Sequence, residues 1–196
     1  ITTGGSEALM FALGSTLDNG DEIIIPEPFY ANYNGFATAS GVKVVPVISG
    51  IETGFALPPM EAFEKLITPK TKAIVPVHLF GRAANMEAIM ALAKEHNLYV
   101  IEDNAQAIGA NCKFSDGSKK KAGTIGHVGA TSFFPSKNLG CYGDGGAIFT
   151  NDDALAHTLR GIVNHGMYER YHHDVVGVNS RLDSIQAAVL NAKLPY

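Results

Sequence analysis

The chain has 196 residues, 46% hydrophobic and 17% charged, which supplies one sizeable core and excludes a disordered or fibrous chain. Its formal charge of −4 is mild and mixed in sign. The only basic run, "KKK" at 119 to 121, lies in a Ser/Gly/Asp-rich stretch, so no basic stripe marks a nucleic-acid partner.

In chain order, short apolar runs alternate with helix-period segments, the pattern of an α/β fold with a mainly parallel sheet covered by helices. "SEALMFALGSTL" (6 to 17) is expected as a helix and "DEIIIPEP" (21 to 28) as a buried strand that leaves into a Pro-bounded loop. "ANYNGFATASG" reads as a helix ended by Gly41, followed by strand 42 to 48, helix 59 to 67, strand 72 to 80, helix 85 to 97 and strand 98 to 103. The polar stretch 111 to 123 is expected as a hairpin or excursion. "HVGATSFFP" and "GGAIFTN" are two more strands, and "DALAHTLRGIVNHG" and "SRLDSIQAAVLNAKL" the closing helices. No repeat or low-complexity linker divides the chain, so one domain is expected.

Two cysteines, Cys112 and Cys141, lack CxxC spacing and fit a reducing compartment better than a disulfide framework or a zinc site, which points to the cytoplasm. No apolar run approaches the roughly 20 residues of a membrane span, and no signal segment opens the sequence. The start at Ile1 without a methionine, and the end just after an amphipathic helix, are expected of an excerpt from a longer protein.

In open sheets of this kind ligands collect at the carboxyl ends of the strands. "TTGGSEAL" places two glycines and Ser6 at a helix start, where free N–H groups hold an anion such as phosphate; the alternative is plain capping by Ser6. Asp103 ends the apolar run "LYVIED" and needs a donor or a cation to stay ionised there, unless it only caps the next turn. Lys137, in "SFFPSKNLG", follows the next strand, so both groups reach the same rim. Phe133, Phe134 and Pro135 around it partly desolvate the amine, which favours the neutral, nucleophilic form used in Schiff-base chemistry; the alternative is a surface lysine on a turn. A phosphate seat, a buried carboxylate, an aromatic at a strand end and such a lysine, in this order, are together the requirements of pyridoxal phosphate.

From Ala73 to Tyr196 the chain resembles the sugar aminotransferases of the DegT/DnrJ/StrS family, through "VHLFGRAANMEAIMALAKEHNLYVIEDNAQAIGA", "SFFPSKNLGCYGDGGAIFTND" and "YHHDVVGVNSRLDSIQAAVL". Residues 1 to 71, with "DEIIIPEPFYANYNGFATASGVKVVPV", are more similar to class I, aspartate-aminotransferase-like enzymes. The two resemblances meet near "ITPKTKAI", as natural divergence or a chimera would each produce. Both imply one fold, a three-layer αβα large domain with a mainly parallel sheet, and one cofactor, pyridoxal 5′-phosphate.

Residue by residue, the resemblance implies that Lys137 holds the cofactor and shuttles a proton, and that Asp103 pairs with its pyridine nitrogen. Gln106 matches the side chain near the phenolic oxygen, and Ser132, with Gly5 and Ser6, the phosphate seat. Tyr30 matches the class I aromatic on the ring face, with Phe29 as its rival; plain core is the alternative for either. Asn179 matches a residue offered to the phosphate across a dimer interface, which implies a homodimer. His127 stands where the family usually has an acidic residue, and Asn104 replaces a small residue beside Asp103. His78 can face substrate or be a satisfied structural histidine. The adjacent histidines of "RYHH" lack metal-ligand spacing, and no metal is expected.

The implied function is transfer of an amino group from an amino acid, in this reading glutamate, to a nucleotide-linked keto-sugar. A class I amino-acid aminotransferase and a cofactor-binding regulatory or scaffold domain are the alternatives. Residues 1 to 196 are then the cofactor-binding large domain, without the family's N-terminal segment and C-terminal small domain.

Overall fold

A computed structural model describes residues 1–196. Six strands form the central sheet: β1 (Glu22–Glu27), β2 (Lys43–Ile48), β3 (Thr71–Ile74), β4 (Tyr99–Asp103), β7 (Val128–Ser132) and β8 (Gly146–Phe149). Their order is β2-β1-β3-β4-β7-β8, and every pairing is parallel except β7 with β8. Ile23, Ile24 and Ile25 of β1 are all fully buried, because both faces of the sheet are covered and the strand therefore reads as a continuous apolar run.

Helices α1 (Gly5–Thr16) and α2 (Asn32–Ala39), with Leu155 of α5 (Asp153–Val163), cover one face. Helices α3 (Met60–Glu64) and α4 (Met86–Glu95) cover the other, giving three layers. A smaller cluster of Phe133, Cys141, Ala147 and Leu190 seats α6 (Ser184–Lys193) beside the loop between β7 and β8. Helices α5 and α4 start on side-chain caps. Asp152 accepts from Ala154 N (2.8 Å) and Leu155 N (3.0 Å) before α5, and Asn85 accepts from Ala88 N (3.4 Å) before α4. No helix is long and apolar enough to cross a membrane.

The expected elements recur with three differences. The run 72 to 80 pairs as a strand only to Ile74, because Pro76 has no N–H to continue the ladder; Val77 then touches the sheet through a lone bridge to Asp103. The helix expected over 59 to 67 stops at Glu64 and turns. The excursion 111 to 123 is a hairpin of β5 (Asn111–Lys113) and β6 (Lys119–Lys121), whereas the hairpin β9 (Met167–Glu169) with β10 (His172–His173) falls where only a connection was expected.

Candidate active site

The strands β1, β4 and β7 run parallel within one sheet, so the residues that follow them leave the same edge. α1 is brought to this edge by glycine. A β-carbon built on Gly5 would lie 2.6 Å from Cβ of Ser132, and one built on Gly146 would lie 2.5 Å from the carbonyl of Gly4. Only hydrogen fits at these two positions, so the start of α1 sits directly on the ends of β7 and β8. The N-cap is Gly4, and no side-chain oxygen caps the first turn. Ser6 lies inside the helix and is exposed, which removes the reading of Ser6 as the cap. Glu7 instead accepts from Thr3 N and Thr3 Oγ1, both at 2.8 Å, one residue before the cap. The first-turn N–H groups therefore lie beside Ser132, at the positive end of the helix dipole.

Asp103 ends β4 opposite Ala130 of β7 and is 7% exposed. Its Oδ1 accepts from Ala105 N (2.9 Å), and its Oδ2 accepts from the hydroxyl of Tyr33 on α2. The bond from Ala105 is the turn cap considered for Asp103; the bond from Tyr33 is a second donor from another element. Burial, then the negative charge of Asp103 and the hydrogen bond to it, push the Tyr33 phenol well above its usual range, so it stays a donor.

Glu102 points to the opposite face, as strand alternation requires, and is fully buried. Its carboxylate accepts from His78 Nε2 (2.7 Å), Gly123 N (2.8 Å), Ile125 N (2.7 Å) and Gly126 N (2.5 Å). Burial alone would raise the Glu102 carboxyl, but the bonds from His78, Gly126 and Gly123 outweigh it and hold the group below the usual glutamate range. His78 is also fully buried, and its Nδ1 accepts from Ala84 N (3.0 Å), which fixes the proton on Nε2. It is therefore a satisfied structural histidine. Its backbone N–H donates to Asp103 O (2.9 Å), tying this network to the peptide of Asp103.

Lys137 lies five residues beyond the end of β7, half-buried in a turn whose amide N–H donates to Phe134 O (2.8 Å). Phe133 is buried in the α6 cluster, whereas Phe134 is 49% exposed and Pro135 is exposed. Of the three ring neighbours expected to enclose the lysine, only Phe133 is buried, and it packs into the α6 cluster. α6 braces the loop from outside: Gln186 Oε1 accepts from Tyr142 N (2.8 Å), and Lys193 Nζ donates to Gly140 O. Cys141 N and Phe133 N close the loop through bonds of 2.7 Å to Phe133 O and Gly145 O.

The remaining expected residues are placed differently. Gln106 is half-buried in the turn after β4, with its carbonyl accepting from Gly81 N (2.9 Å). Tyr30 follows β1, 56% exposed, its ring 6.3 Å from that of Tyr33; Phe29 is half-buried on the main core, 5.9 Å from Tyr33. Asn179 is exposed and bridged to Asn164 of its own chain. Of the two departures, His127 accepts from Val100 N (2.9 Å) at the start of β4, away from the carboxyl edge. Asn104 is buried against Gly123, with its Oδ1 unpartnered. His172 and His173 are exposed on β10, and His173 Nδ1 lies 2.8 Å from His165 O.

Sequence reading missed Tyr33 and Glu102. Tyr33 reads as one of the apolar positions of a helix, three residues before Phe36. Glu102 carries a visible signal, a carboxylate inside "YVIED" that must find donors once buried.

Known proteins share this architecture. A UDP-N-acetyl-3-dehydro-alpha-D-glucosamine 3-aminotransferase of Acidithiobacillus ferrooxidans is 47% identical over 196 residues, covering 98% of this chain and 50% of that protein. The crystal structure of DesV from S. venezuelae superposes with a TM-score of 0.87 at 43% identity over 99% of this chain and 51% of its own. NtdA of Bacillus subtilis, solved with bound cofactor PMP, gives a TM-score of 0.82 at 33% identity, over 96% of this chain and 42% of its own. The chain thus spans about half the length of the relatives it matches. The profile of the DegT/DnrJ/EryC1/StrS aminotransferases matches residues 1–196, including the first 71 with their class I resemblance. On sequence and fold alike, the chain belongs to the DegT/DnrJ/EryC1/StrS aminotransferase family.

Proposed function

We propose that residues 1–196 form the pyridoxal 5′-phosphate-binding large domain of an aminotransferase that moves an amino group from an amino acid, glutamate in this reading, to a nucleotide-linked keto-sugar. The observation that carries this reading is the convergence, on one sheet edge, of the uncapped α1 start against Ser132, the buried carboxylate of Asp103 and the half-buried Lys137. The residues fit the cofactor: the glycine contacts leave the α1 amides and a hydroxyl together for a phosphate, and Asp103 has lone pairs left after Tyr33 and Ala105. The names and bound cofactor of the relatives point the same way.

Gly5 and Ser6 would hold the phosphate through backbone N–H groups and Ser132 through its hydroxyl. Asp103 would accept the ring N–H and keep that nitrogen protonated. When bound, the cofactor supplies a carbonyl for amine exchange and a ring that withdraws electrons from the carbon losing its proton. Lys137 Nζ would hold the cofactor covalently and, once displaced by the amino donor, carry the proton to and from the substrate carbon. Gln106 would approach the phenolic oxygen, and Tyr30 or Phe29 the ring face. Asn179, exposed here, would reach the phosphate of a second protomer in a homodimer. The cytoplasm is the compartment this reading assigns.

The test uses the full-length, cofactor-loaded protein. Glutamate should change the cofactor absorbance, and a nucleotide keto-sugar should restore it while oxaloacetate should not. Restoration by oxaloacetate alone would move the protein to amino-acid substrates, and no response to any of the three would leave a binding or regulatory domain.

A further inference from the structure

We propose that Tyr33 is a positioning residue for Asp103, its hydroxyl fixing the carboxylate in the orientation that meets the cofactor's ring nitrogen. This role rests on the cofactor reading above. Tyr33 is 1% exposed, and its hydroxyl makes one hydrogen bond, to Asp103 Oδ2 across 70 residues of sequence. At that burial no solvent water replaces it. The other carboxylate oxygen is held at 2.9 Å by Ala105 N, from the turn that follows β4. Two donors from two elements therefore define the carboxylate plane. Of roughly four lone-pair sites on an ionised carboxylate, two are used, which leaves acceptor capacity for a third donor.

The phenol is itself held by its neighbours. Its ring meets Phe29 at 5.9 Å, Tyr30 at 6.3 Å and Phe36 at 6.3 Å, each edge-on. Phe29 and Tyr30 are the two candidates for the ring face, so one residue connects the aromatic side of the site to its acidic pole. Loss of the hydroxyl leaves a buried anion with one fewer donor and a carboxylate free to rotate.

The experiment uses full-length protein with Tyr33→Phe, Asp103→Asn and both substitutions, and reads the dissociation constant of pyridoxal 5′-phosphate from the apoprotein. Tyr33→Phe should weaken binding roughly tenfold beside Asp103 and less than twofold in the Asp103→Asn background, since a hydroxyl that acts through the carboxylate has nothing to position without it. An equal loss in both backgrounds, or no loss in either, overturns the proposal. A second variant, 3-fluorotyrosine in place of Tyr33, keeps the ring and alters only the donor. It should shift the absorbance maximum of the bound cofactor beside Asp103 and leave it in place beside Asn; a shift in both, or in neither, overturns the proposal. If the unsubstituted protein binds no cofactor, the cofactor reading fails before any variant is compared, and the role of Tyr33 falls with it.

Discussion

Gly5 of α1 stands so close to Ser132 of β7 that a β-carbon on the glycine would lie 2.6 Å from the β-carbon of the serine. Neither partner is the end of a flexible chain, so Gly5→Ala must push the helix start away from the strand. The expected cost is roughly 1–3 kcal/mol of stability, read from denaturant midpoints, with weaker binding of the cofactor and of inorganic phosphate.

Gly14, on the same helix, gives the opposite sign. It is exposed and nothing lies within 4 Å of a β-carbon built there. Gly14→Ala should stabilise the protein by about 0.5–1 kcal/mol through the unfolded chain and leave cofactor binding unchanged, as the same midpoints and titrations will show.

Glu102 sets an acid limit. Its carboxyl lies below its ordinary value in the fold, so its contribution is present above the unfolded value of about 4.3 and is lost as pH falls through the folded value. Glu102→Gln leaves its backbone donors and His78 facing an amide, with an expected loss of about 3–5 kcal/mol at neutral pH. Unfolding free energy measured against pH should fall less steeply on the acid side in the variant than in the parent.

Tyr33 sets an alkaline one. Its phenol is raised in the fold, so its contribution is complete below the unfolded value of about 10 and is lost as pH rises through the folded value. Tyr33→Phe should abolish that part of the alkaline loss, and the difference between parent and variant unfolding curves above about pH 10 isolates it.

The strand and helix succession was legible because burial on both faces makes Ile23 to Ile25 of β1 a continuous apolar run and because α4 and α5 carry their caps in sequence. Asp103 and Lys137 were legible as polar groups at or beyond the ends of apolar runs, Ser132 only through the family resemblance, and the parallel pairing of β4 with β7 brings the two strand ends to one edge. Tyr33 was not, since its hydrogen-bond partner lies 70 residues away and its helical spacing is that of any core aromatic. The β9–β10 hairpin was also hidden: "MYE" and "HH" are too short and too polar for periodicity to register. The surroundings of Lys137 differed from expectation for a local reason, the turning of Phe134 to solvent while Phe133 enters the core.

In the proposed function Lys137 is the amine that holds the cofactor. Borohydride reduction of the full-length, cofactor-loaded protein, followed by peptide mass mapping, identifies that amine. The label should fall on Lys137 and vanish in Lys137→Ala; a label on a different lysine, or one that persists in the alanine variant, would contradict it.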